Sequence, residues 1–482
     1  MELQSFKIAL CASTALLPTT NLFAQKDKPA EKKQPNVIYI LADDLGIGDL
    51  GCYGQQVIKT PAVDNLAATG LRFTHHYSGS TVSAPSRCAL MTGKHTGHCY
   101  IRGNKSTPNE IEKGRSFDHP LAAGEITVAD IFKQAGYETA CIGKWGLGGP
   151  HTEGQPDKHG FDYFFGYLGQ AEAHSYYPDL LWENNDKVVL NKSVYSYDLI
   201  MDKALAYIKR NEGKPFFLYL TPTIPHAELI VPPGELGEYD GMFEETPFVN
   251  NSGGSYRSQP KPRATFAAMV TRLDRGVQQV VDLLKELDLY ENTMIIFTSD
   301  NGTHAEGGHD PDFFNSSGIY RGYKRDLYEG GIRTPFVVSY PAGIKQGTIT
   351  NHVSAFWDFL PTVCELTGIE IPENVDGISY WATLMGGETG EMGQKKHDYL
   401  YFEFHERNGT RCIIQDGWKL IELNVYNLYK KEPATWELYN LNADPSEKNN
   451  VIDQHKDRVD SMKKMMLAAR TKNENWDFPQ EE

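Results

Sequence analysis

The stretch NVIYILADDLG, residues 36–46, places two carboxylates directly after a strand-like run. Such an uninterrupted run is typical of a strand buried on both faces of a parallel sheet. Helical patterns separate it from later runs of the same kind, and this alternation predicts a doubly wound α/β sheet. The later runs are TACIG (139–143), PFFLYL (215–220), TMIIFTS (293–299) and PFVVSYP (335–341), and the helical patterns cover 60–70, 127–136, 196–211 and 264–289.

The pattern changes near residue 395. The segments DYLYFEFHE, RCIIQDG and WKLIELN alternate in polarity and predict an antiparallel sheet, and a helical pattern follows at 455–471. We therefore expect a main α/β domain at 36–394 and a smaller α+β subdomain, an antiparallel sheet plus a helix, at 395–482.

The N-terminal residues are typical of an export signal. A lysine, an apolar stretch at 8–17 and a small residue at Ala24 predict a signal peptide over 1–24, followed by a polar linker at 25–35. The apolar stretch is too short for a stable membrane anchor, and no later apolar stretch is long enough to span a bilayer. We expect a periplasmic protein, with an extracellular location as the alternative.

Bulk properties narrow the function. The 482 residues carry a net charge of −16, which argues against a general nucleic-acid or membrane-surface role. Six cysteines remain after the predicted signal peptide and none forms a C-x-x-C pair, so we expect zero to two disulfides and no zinc site.

Polar residues follow several of the predicted strands. Asp43 and Asp44 follow the first strand, and Asp300 and Asn301 follow the fourth. Ligands in open α/β sheets bind beyond the carboxyl ends of the strands, where these side chains would converge. An oxygen-only set favours Ca²⁺, with Mg²⁺ second.

The glycine pattern GIGDLG at 46–51 matches a dinucleotide-binding fingerprint. Asp43 and Asp44 precede it and would repel a pyrophosphate, and Leu71-Arg72-Phe73 stands where the acidic ribose ligand belongs. We do not expect a dinucleotide site.

Cationic residues accompany the carboxylates. Arg87 lies four residues after Ser83 in a helical pattern, Lys144 follows a strand, and Lys324 precedes a glycine turn. With a divalent cation they would form a site for a tetrahedral oxyanion.

The segment Ser83-Ala84-Pro85-Ser86-Arg87, followed by Leu90-Met91-Thr92-Gly93, resembles the signature C/S-x-P-x-R…L-x-T-G of the type I, formylglycine-dependent sulfatases. The resemblance covers nearly the whole chain after the signal peptide and implies an alkaline-phosphatase-like fold. Its other motifs are LADDLGIGDLGCYG, GKWGLG, IPH, TSDNG, KRDLYEGGIRTP and ELYNLNADPSEKNNV.

The resemblance implies that a separate maturing enzyme converts Ser83 to Cα-formylglycine. A serine at this position resembles the bacterial subset that a radical enzyme matures. A plain serine ester of sulfate would be stable, whereas an aldehyde hydrate has a second hydroxyl whose deprotonation expels sulfate.

The resemblance also implies a role for each matching residue. Asp43, Asp44, Asp300 and Asn301 match calcium ligands, and residue 83 completes the set. The cationic and histidine positions match as follows: Arg87 steadies the formylglycine, Lys144 and Lys324 bind sulfate oxygens, and His226 protonates the leaving oxygen.

The chain departs from the family at Gly146, where G-K-W-H-L-G has the histidine thought to deprotonate the hydrate. Another group or water would take that task, and His95 is our first candidate.

The substrate is implied by resemblance alone. The chain looks like a bacterial branch that desulfates carbohydrates, which implies an exo-acting enzyme with galactose or N-acetylgalactosamine as the expected sugar. The candidate sugar contacts are His309, Asp310, Asp312 and Arg102, with Asn104, Glu172 and His174 as further candidates.

Two alternatives remain. A phosphomonoesterase or phosphodiesterase of the alkaline phosphatase superfamily would share the architecture but use two transition metals and more histidine ligands. A non-catalytic glycan-binding protein of this fold would have lost nucleophile or metal residues, and this chain has them all.

Overall fold

The computed structural model describes residues 34–109, 111–113, 115–251, 253–386, 393–426 and 433–478. The predicted signal peptide and the linker up to residue 33 lie outside these residues. The described strands, in chain order, are β1 (Asn36–Ala42), β2 (Leu71–Phe73), β3 (His76–Tyr77), β4 (Ser106–Pro108), β5 (Ser116–Asp118), β6 (Glu138–Lys144), β7 (Tyr163–Tyr167), β8 (Leu180–Glu183), β9 (Asp186–Val189), β10 (Phe216–Thr221), β11 (Thr293–Ser299), β12 (Phe336–Ser339), β13 (Thr348–Thr350), β14 (Ser354–Ala355), β15 (Leu400–Phe404), β16 (Thr410–Gln415), β17 (Trp418–Leu423) and β18 (Thr435–Asn440). The described α-helices are α1 (Pro61–Thr69), α2 (Ser83–Thr92), α3 (Val128–Gln134), α4 (Ser196–Arg210), α5 (Pro262–Glu286), α6 (Pro311–Phe314), α7 (Glu329–Ile332), α8 (Phe359–Thr367), α9 (Trp381–Gly386) and α10 (Lys456–Ala468).

The main sheet has ten strands in the order β13-β2-β12-β11-β1-β10-β6-β7-β8-β9. Its centre, from β11 to β7, is parallel, so the strands that precede the candidate site residues all end at one edge. The run PFVVSYP was predicted as another parallel strand, and this is wrong, because β12 pairs antiparallel to β11. An apolar run reflects burial on both faces and carries no information about strand direction.

Each face of the main sheet packs against its own layer of helices. Alternate residues of β1 divide between the layers, with Val37, Tyr39 and Leu41 on one side and Ile38 and Ile40 on the other. The first side packs against α2, α3 and α8, and the second against α1, α4 and α5. The predicted α/β architecture is confirmed.

Helix α2 carries the segment that resembles the family signature. It begins at Ser83 directly after the extended residue Val82, and Gly93 ends it with a φ of 70°. The Gly93 N–H donates to the Ala89 carbonyl at 3.0 Å, a left-handed helix end that suits glycine. All ten helix residues are buried, so this helix belongs to the core.

The C-terminal residues form the second, smaller sheet, in the order β15-β16-β17-β18, with every pair antiparallel. One face packs on α10 through residues such as Tyr401, Ile413 and Met462, and the other face adds Phe402 and Cys412 to the main core. The predicted α+β subdomain of a sheet plus a helix is confirmed, while its boundary at 394/395 stays a prediction.

The described residues contain neither a disulfide nor a helix that could span a membrane. The six cysteines of the described residues are free thiols. The described helices are each too short or too polar to cross a bilayer.

Candidate active site

Three carboxylates and one amide meet beyond the carboxyl ends of β1 and β11. The backbone N–H of Asp44 donates to Asp300 Oδ1 at 3.2 Å, and Asn301 Nδ2 donates to Asp44 Oδ1 at 2.7 Å. Asp43, Asp44, Asp300 and Asn301 are each fully buried. Asp44 has a φ of 64°, a left-handed conformation that is uncommon outside glycine and is found at functional sites. The sequence prediction that these residues converge is confirmed.

The hydroxyl of Ser83 lies within this cluster. Its Oγ donates to Asp43 Oδ1 at 3.2 Å and accepts from Lys144 Nζ at 3.2 Å. Lys144 also donates to Asp43 Oδ2 at 2.7 Å. The first residue of α2 and the last residue of β6 therefore meet at one carboxylate.

Arg87 connects the helix to the carboxylates from one turn further along. Its Nε and Nη2 donate to Asp300 Oδ2 at 3.2 and 2.9 Å, and Nη1 donates to the Lys144 carbonyl at 2.8 Å. Its Nη2 lies 3.7 Å from Asp43 Oδ2. Burial lowers the pKa of Arg87, but Asp300 and Asp43 outweigh it and raise that pKa, so the guanidinium stays charged.

Lys324 and His226 both contact Asp44. Lys324 Nζ donates to Asp44 Oδ2 at 2.8 Å and to His226 Nε2 at 3.1 Å. His226 Nδ1 hydrogen-bonds the Ala227 carbonyl, so the ring proton belongs on Nδ1 and Nε2 accepts. Burial and the charges of Lys324 and Lys144 lower the pKa of His226 well below its usual range. His226 is therefore a neutral imidazole that faces an ammonium.

The donor set fits a hard divalent cation. Carboxylate and amide oxygens are the ligands such ions prefer. Asn301 Oδ1 is buried and accepts no hydrogen bond from a described residue. A buried amide oxygen without a donor costs free energy, and a cation beside it removes that cost. The side chains of Asp43, Asp44 and His226 also bring ligand atoms within 4.8 Å of one another.

Sequence reasoning missed two neighbours of Lys324, His304 and Glu306. They lie in the loop directly after Asn301, and this closeness in sequence to a predicted metal ligand could have identified them. Asp44, His304 and Glu306 have ligand atoms within 4.8 Å of one another, which is the arrangement a second metal would need. Lys324 Nζ already lies 2.8 Å from the Asp44 carboxylate and 3.5 Å from that of Glu306, so an ammonium supplies the positive charge there.

His95 is not brought to the cluster. It lies beyond the opposite end of α2, where its Nδ1 accepts from the Gly97 N–H at 3.1 Å. A neutral ring then carries its proton on Nε2, which faces Asp376 at 3.8 Å. Burial lowers the pKa of His95 to about 4. These contacts give His95 a role in joining the end of α2 to the Asp376 loop.

The predicted sugar contacts are engaged elsewhere. Arg102 is buried and donates to Glu403 Oε1 at 3.2 Å and to the Thr471 carbonyl at 2.9 Å. His309 stacks on the Phe266 ring with centroids 3.6 Å apart. Asp310 pairs with Arg263 at 3.2 Å, and Asp312 accepts from the Tyr323 hydroxyl at 2.6 Å.

Two of the further candidates do lie beside the cluster. Asn104 Oδ1 accepts from the backbone N–H of Ala84, next to Ser83, and from Gln170 Nε2, both at 3.3 Å. Gly146 has a φ of 76°, and a Cβ there would lie 3.3 Å from the Gln170 side chain. On the other side of the cluster, His174 stacks on His226 with centroids 5.1 Å apart.

Comparison with known proteins gives a consistent result over the length of the chain. The family model described as Sulfatase matches residues 35–369, and the model of the N-sulphoglucosamine sulphohydrolase C-terminal region matches residues 318–472. An N-acetylgalactosamine-6-O-sulfatase of Bacteroides thetaiotaomicron is 29% identical, over 96% of this chain and 99% of its own.

Solved structures share the fold. The crystal structure of Ps i-CgsB in complex with k-i-k-neocarrahexaose has a TM-score of 0.75 at 28% identity and covers 93% of this chain and 94% of its own. The phosphonate monoester hydrolase of Agrobacterium radiobacter has a TM-score of 0.63 at 18% identity and covers 90% of this chain and 95% of its own. These neighbours confirm the predicted alkaline-phosphatase-like fold.

Proposed function

The chain belongs to the sulfatase family of sulfuric ester hydrolases, and from this premise we propose that it removes sulfate from carbohydrates with a formylglycine at position 83 and one Ca²⁺. One observation carries the proposal. The Ser83 hydroxyl, three buried carboxylates and three buried cations are joined through pairwise hydrogen bonds into one cluster.

Asp43, Asp44, Asp300 and Asn301 would hold the calcium ion, together with residue 83. When bound, the ion supplies positive charge that draws electron density from a sulfate oxygen. The unpartnered oxygen of Asn301 supports this assignment. An all-oxygen set favours Ca²⁺ over transition metals, with Mg²⁺ second.

Residue 83 would act as the nucleophile. A formylglycine hydrate supplies two hydroxyls, one to attack sulfur and a second whose deprotonation releases sulfate. Lys144 donates to the oxygen of residue 83 and so orients it. Arg87 fixes Asp300 and the Lys144 carbonyl, and thereby the end of β6 that presents Lys144.

Lys324 and His226 would serve the leaving oxygen. The Lys324 ammonium donates to His226 Nε2, and both side chains contact Asp44, so a proton that belongs to Lys324 lies between the two. Lys324 stabilises negative charge on the sulfuryl oxygens, and its proton can pass through His226 Nε2 to the departing sugar oxygen.

The expected substrate is a saccharide that carries N-acetylgalactosamine 6-sulfate, attacked from the chain end. The relative of 29% identity bears the name N-acetylgalactosamine-6-O-sulfatase and matches over its full length. The proposal extends to export to the periplasm and to maturation of Ser83 by a separate serine-type enzyme.

The proposal is tested with chain matured in a host that has the serine-type enzyme. Mass measurement of the peptide that contains Ser83 is expected to show the aldehyde or its hydrate. The matured chain should hydrolyse 4-nitrophenyl sulfate and N-acetylgalactosamine 6-sulfate in the presence of Ca²⁺, and 4-nitrophenyl phosphate much more slowly. Chelator should remove the sulfatase activity.

Ser83→Ala should lose activity on both sulfate esters, whereas Ser461→Ala, on an exposed face of α10, should retain it. Full activity of Ser83→Ala would overturn the assignment of the nucleophile. Faster turnover of the phosphate ester would favour the phosphoesterase alternative.

A further inference from the structure

A chain of alternating charges leads outward from Lys324 to the protein surface. Lys324 Nζ lies 3.5 Å from Glu306 Oε2, Arg325 Nη1 lies 2.5 Å from Glu306 Oε1, and Arg325 Nε lies 3.5 Å from Glu406 Oε2. The exposed fraction of these side chains rises steadily, from 5% at Lys324 through 21% and 26% to 29% at Glu406. Glu306, Arg325 and Glu406, the charged wall, therefore extend from the buried site towards solvent.

The backbone fixes this wall in place. Arg325 has a φ of 77°, a costly conformation for a residue with a side chain. The Lys324 N–H donates to the Thr303 carbonyl at 2.8 Å, and the Arg325 N–H donates to the Thr81 carbonyl at 3.1 Å. The strained turn is thus held by the segment after Asn301 and by the segment before Ser83.

Glu406 reaches the wall from the smaller sheet, in the loop that follows β15. Its Oε2 faces Arg325 at 3.5 Å, and the side chain is 29% exposed. A carboxylate has about four acceptor positions, so this one keeps hydrogen-bonding capacity for a ligand that brings an O–H or N–H group.

The aromatic ring of Tyr256 lies beside the wall. Its hydroxyl donates to Glu306 Oε2 at 3.1 Å, and its ring centroid lies 6.3 Å from that of His226. An aromatic ring and hydrogen-bonding carboxylates therefore lie together beside His226, and this combination suits a sugar ring with hydroxyl groups.

We propose that the charged wall is the binding surface for the sugar ring that carries the sulfate, and that Glu406 accepts a hydrogen bond from one of its hydroxyls. This assignment rests on the proposed function. The wall itself holds two carboxylates against one guanidinium, so its net charge is −1. It therefore favours a sugar with free hydroxyls over one that carries a second sulfate or a carboxylate next to the reacting one.

The test compares Glu406→Gln with the unmodified sequence, both with formylglycine verified by mass. The measured quantity is the kcat/KM for N-acetylgalactosamine 6-sulfate divided by that for 4-nitrophenyl sulfate, which has no sugar hydroxyls. We expect this ratio to fall about tenfold in Glu406→Gln, mainly through the KM of the saccharide, because one hydrogen bond to a charged acceptor is weakened. Glu406→Ala should lower the ratio further.

The matched control is Asp416→Asn, an exposed acidic residue in the turn between β16 and β17, for which the ratio should not change. A second readout is the preference for N-acetylgalactosamine 6-sulfate over the 4,6-disulfated sugar. This preference should narrow in Glu406→Gln, because the repelling charge is gone.

An unchanged ratio in both Glu406 variants would overturn the assignment, whether the two kcat/KM values stay at the wild-type level or fall equally. An equal fall would indicate a structural role for Glu406. If matured wild-type chain hydrolyses the aryl ester but no sulfated saccharide, the carbohydrate assignment itself fails. Hydrolysis of saccharides with an unaltered ratio refutes only the role of the wall.

Discussion

Replacing Arg87 by methionine is expected to destabilise the protein through the carboxylates it leaves behind. Arg87 is fully buried and makes two hydrogen bonds to Asp300 Oδ2, and it also lies near Asp43. Methionine fills a similar volume without the charge. Removing one partner of a buried ion pair costs about 3–5 kcal/mol, because the other charge stays buried and unpaired.

This free energy corresponds to a measurable shift in melting temperature. An unfolding entropy of about 2.1 cal/mol/K per residue, over about 450 residues, gives about 0.9 kcal/mol/K, so Arg87→Met should melt about 3–5 °C below wild type. The assay is calorimetry of the unmatured chain in chelator. Because a cation bound by Asp43 and Asp300 would replace part of the lost charge, added Ca²⁺ should raise the melting temperature of Arg87→Met by more than that of wild type.

The control is Arg407→Met, which removes an arginine whose side chain is 62% exposed and lies 3.4 Å from Asp326. An exposed pair contributes about 0–1 kcal/mol, so this variant should melt within about 1 °C of wild type. An Arg87→Met protein that melts with wild type in chelator, or that gains no more from Ca²⁺, would refute the reasoning.

Three further outcomes are expected. His226→Gln should lower kcat on saccharide sulfates about 100-fold and on 4-nitrophenyl sulfate much less, because a phenolate leaves without a proton; equal losses would contradict the proton-transfer role. Lys144→Met should lower kcat about 100- to 1000-fold, and an effect confined to KM would argue against transition-state stabilisation. Burial raises the pKa of Asp49 to about 7 from 3.8, so the folded chain holds a proton that the unfolded chain loses. The free energy of unfolding should therefore fall as pH rises from about 4 to about 7 and then level off. A plot of melting temperature against pH should lack this fall for Asp49→Asn, and parallel plots for Asp49→Asn and wild type would refute the prediction.

The sequence was sufficient to predict the centre of the site. The carboxylates and Asn301 directly follow long buried strands, and parallel strands that end at one edge bring such residues together. Lys144 was found by the same argument, since β6 belongs to the same parallel block, and the family resemblance added His226. A residue within three positions of a buried parallel strand has few places to go.

The periphery was not predictable in this way. His95 follows Ser83 by only twelve residues, but α2 separates them along an axis of about 15 Å at 1.5 Å per residue. Arg102 carries a positive charge that could bind an anionic substrate, but it pairs with Glu403, which lies about 300 residues away in sequence. Glu406 reaches the mouth of the site from another sheet. Contacts between loops depend on packing that no local spacing encodes.

Helix α2 is held at both ends, and this shapes where the chain can tolerate change. At its start it meets the carboxylates, while the loop beyond its end is wrapped by the C-terminal residues, with the Glu403 N–H donating to Thr96 Oγ1 at 2.8 Å and the Thr471 N–H donating to the Gly97 carbonyl at 3.0 Å. Because all ten residues of α2 are buried in close-packed surroundings, we expect a displacement at either end to shift the whole helix. A saturation-mutagenesis map of lost activity should thus show two separate groups of sensitive positions, one at the reacting groups and one where Glu403 and Thr471 contact the loop beyond the other end of α2.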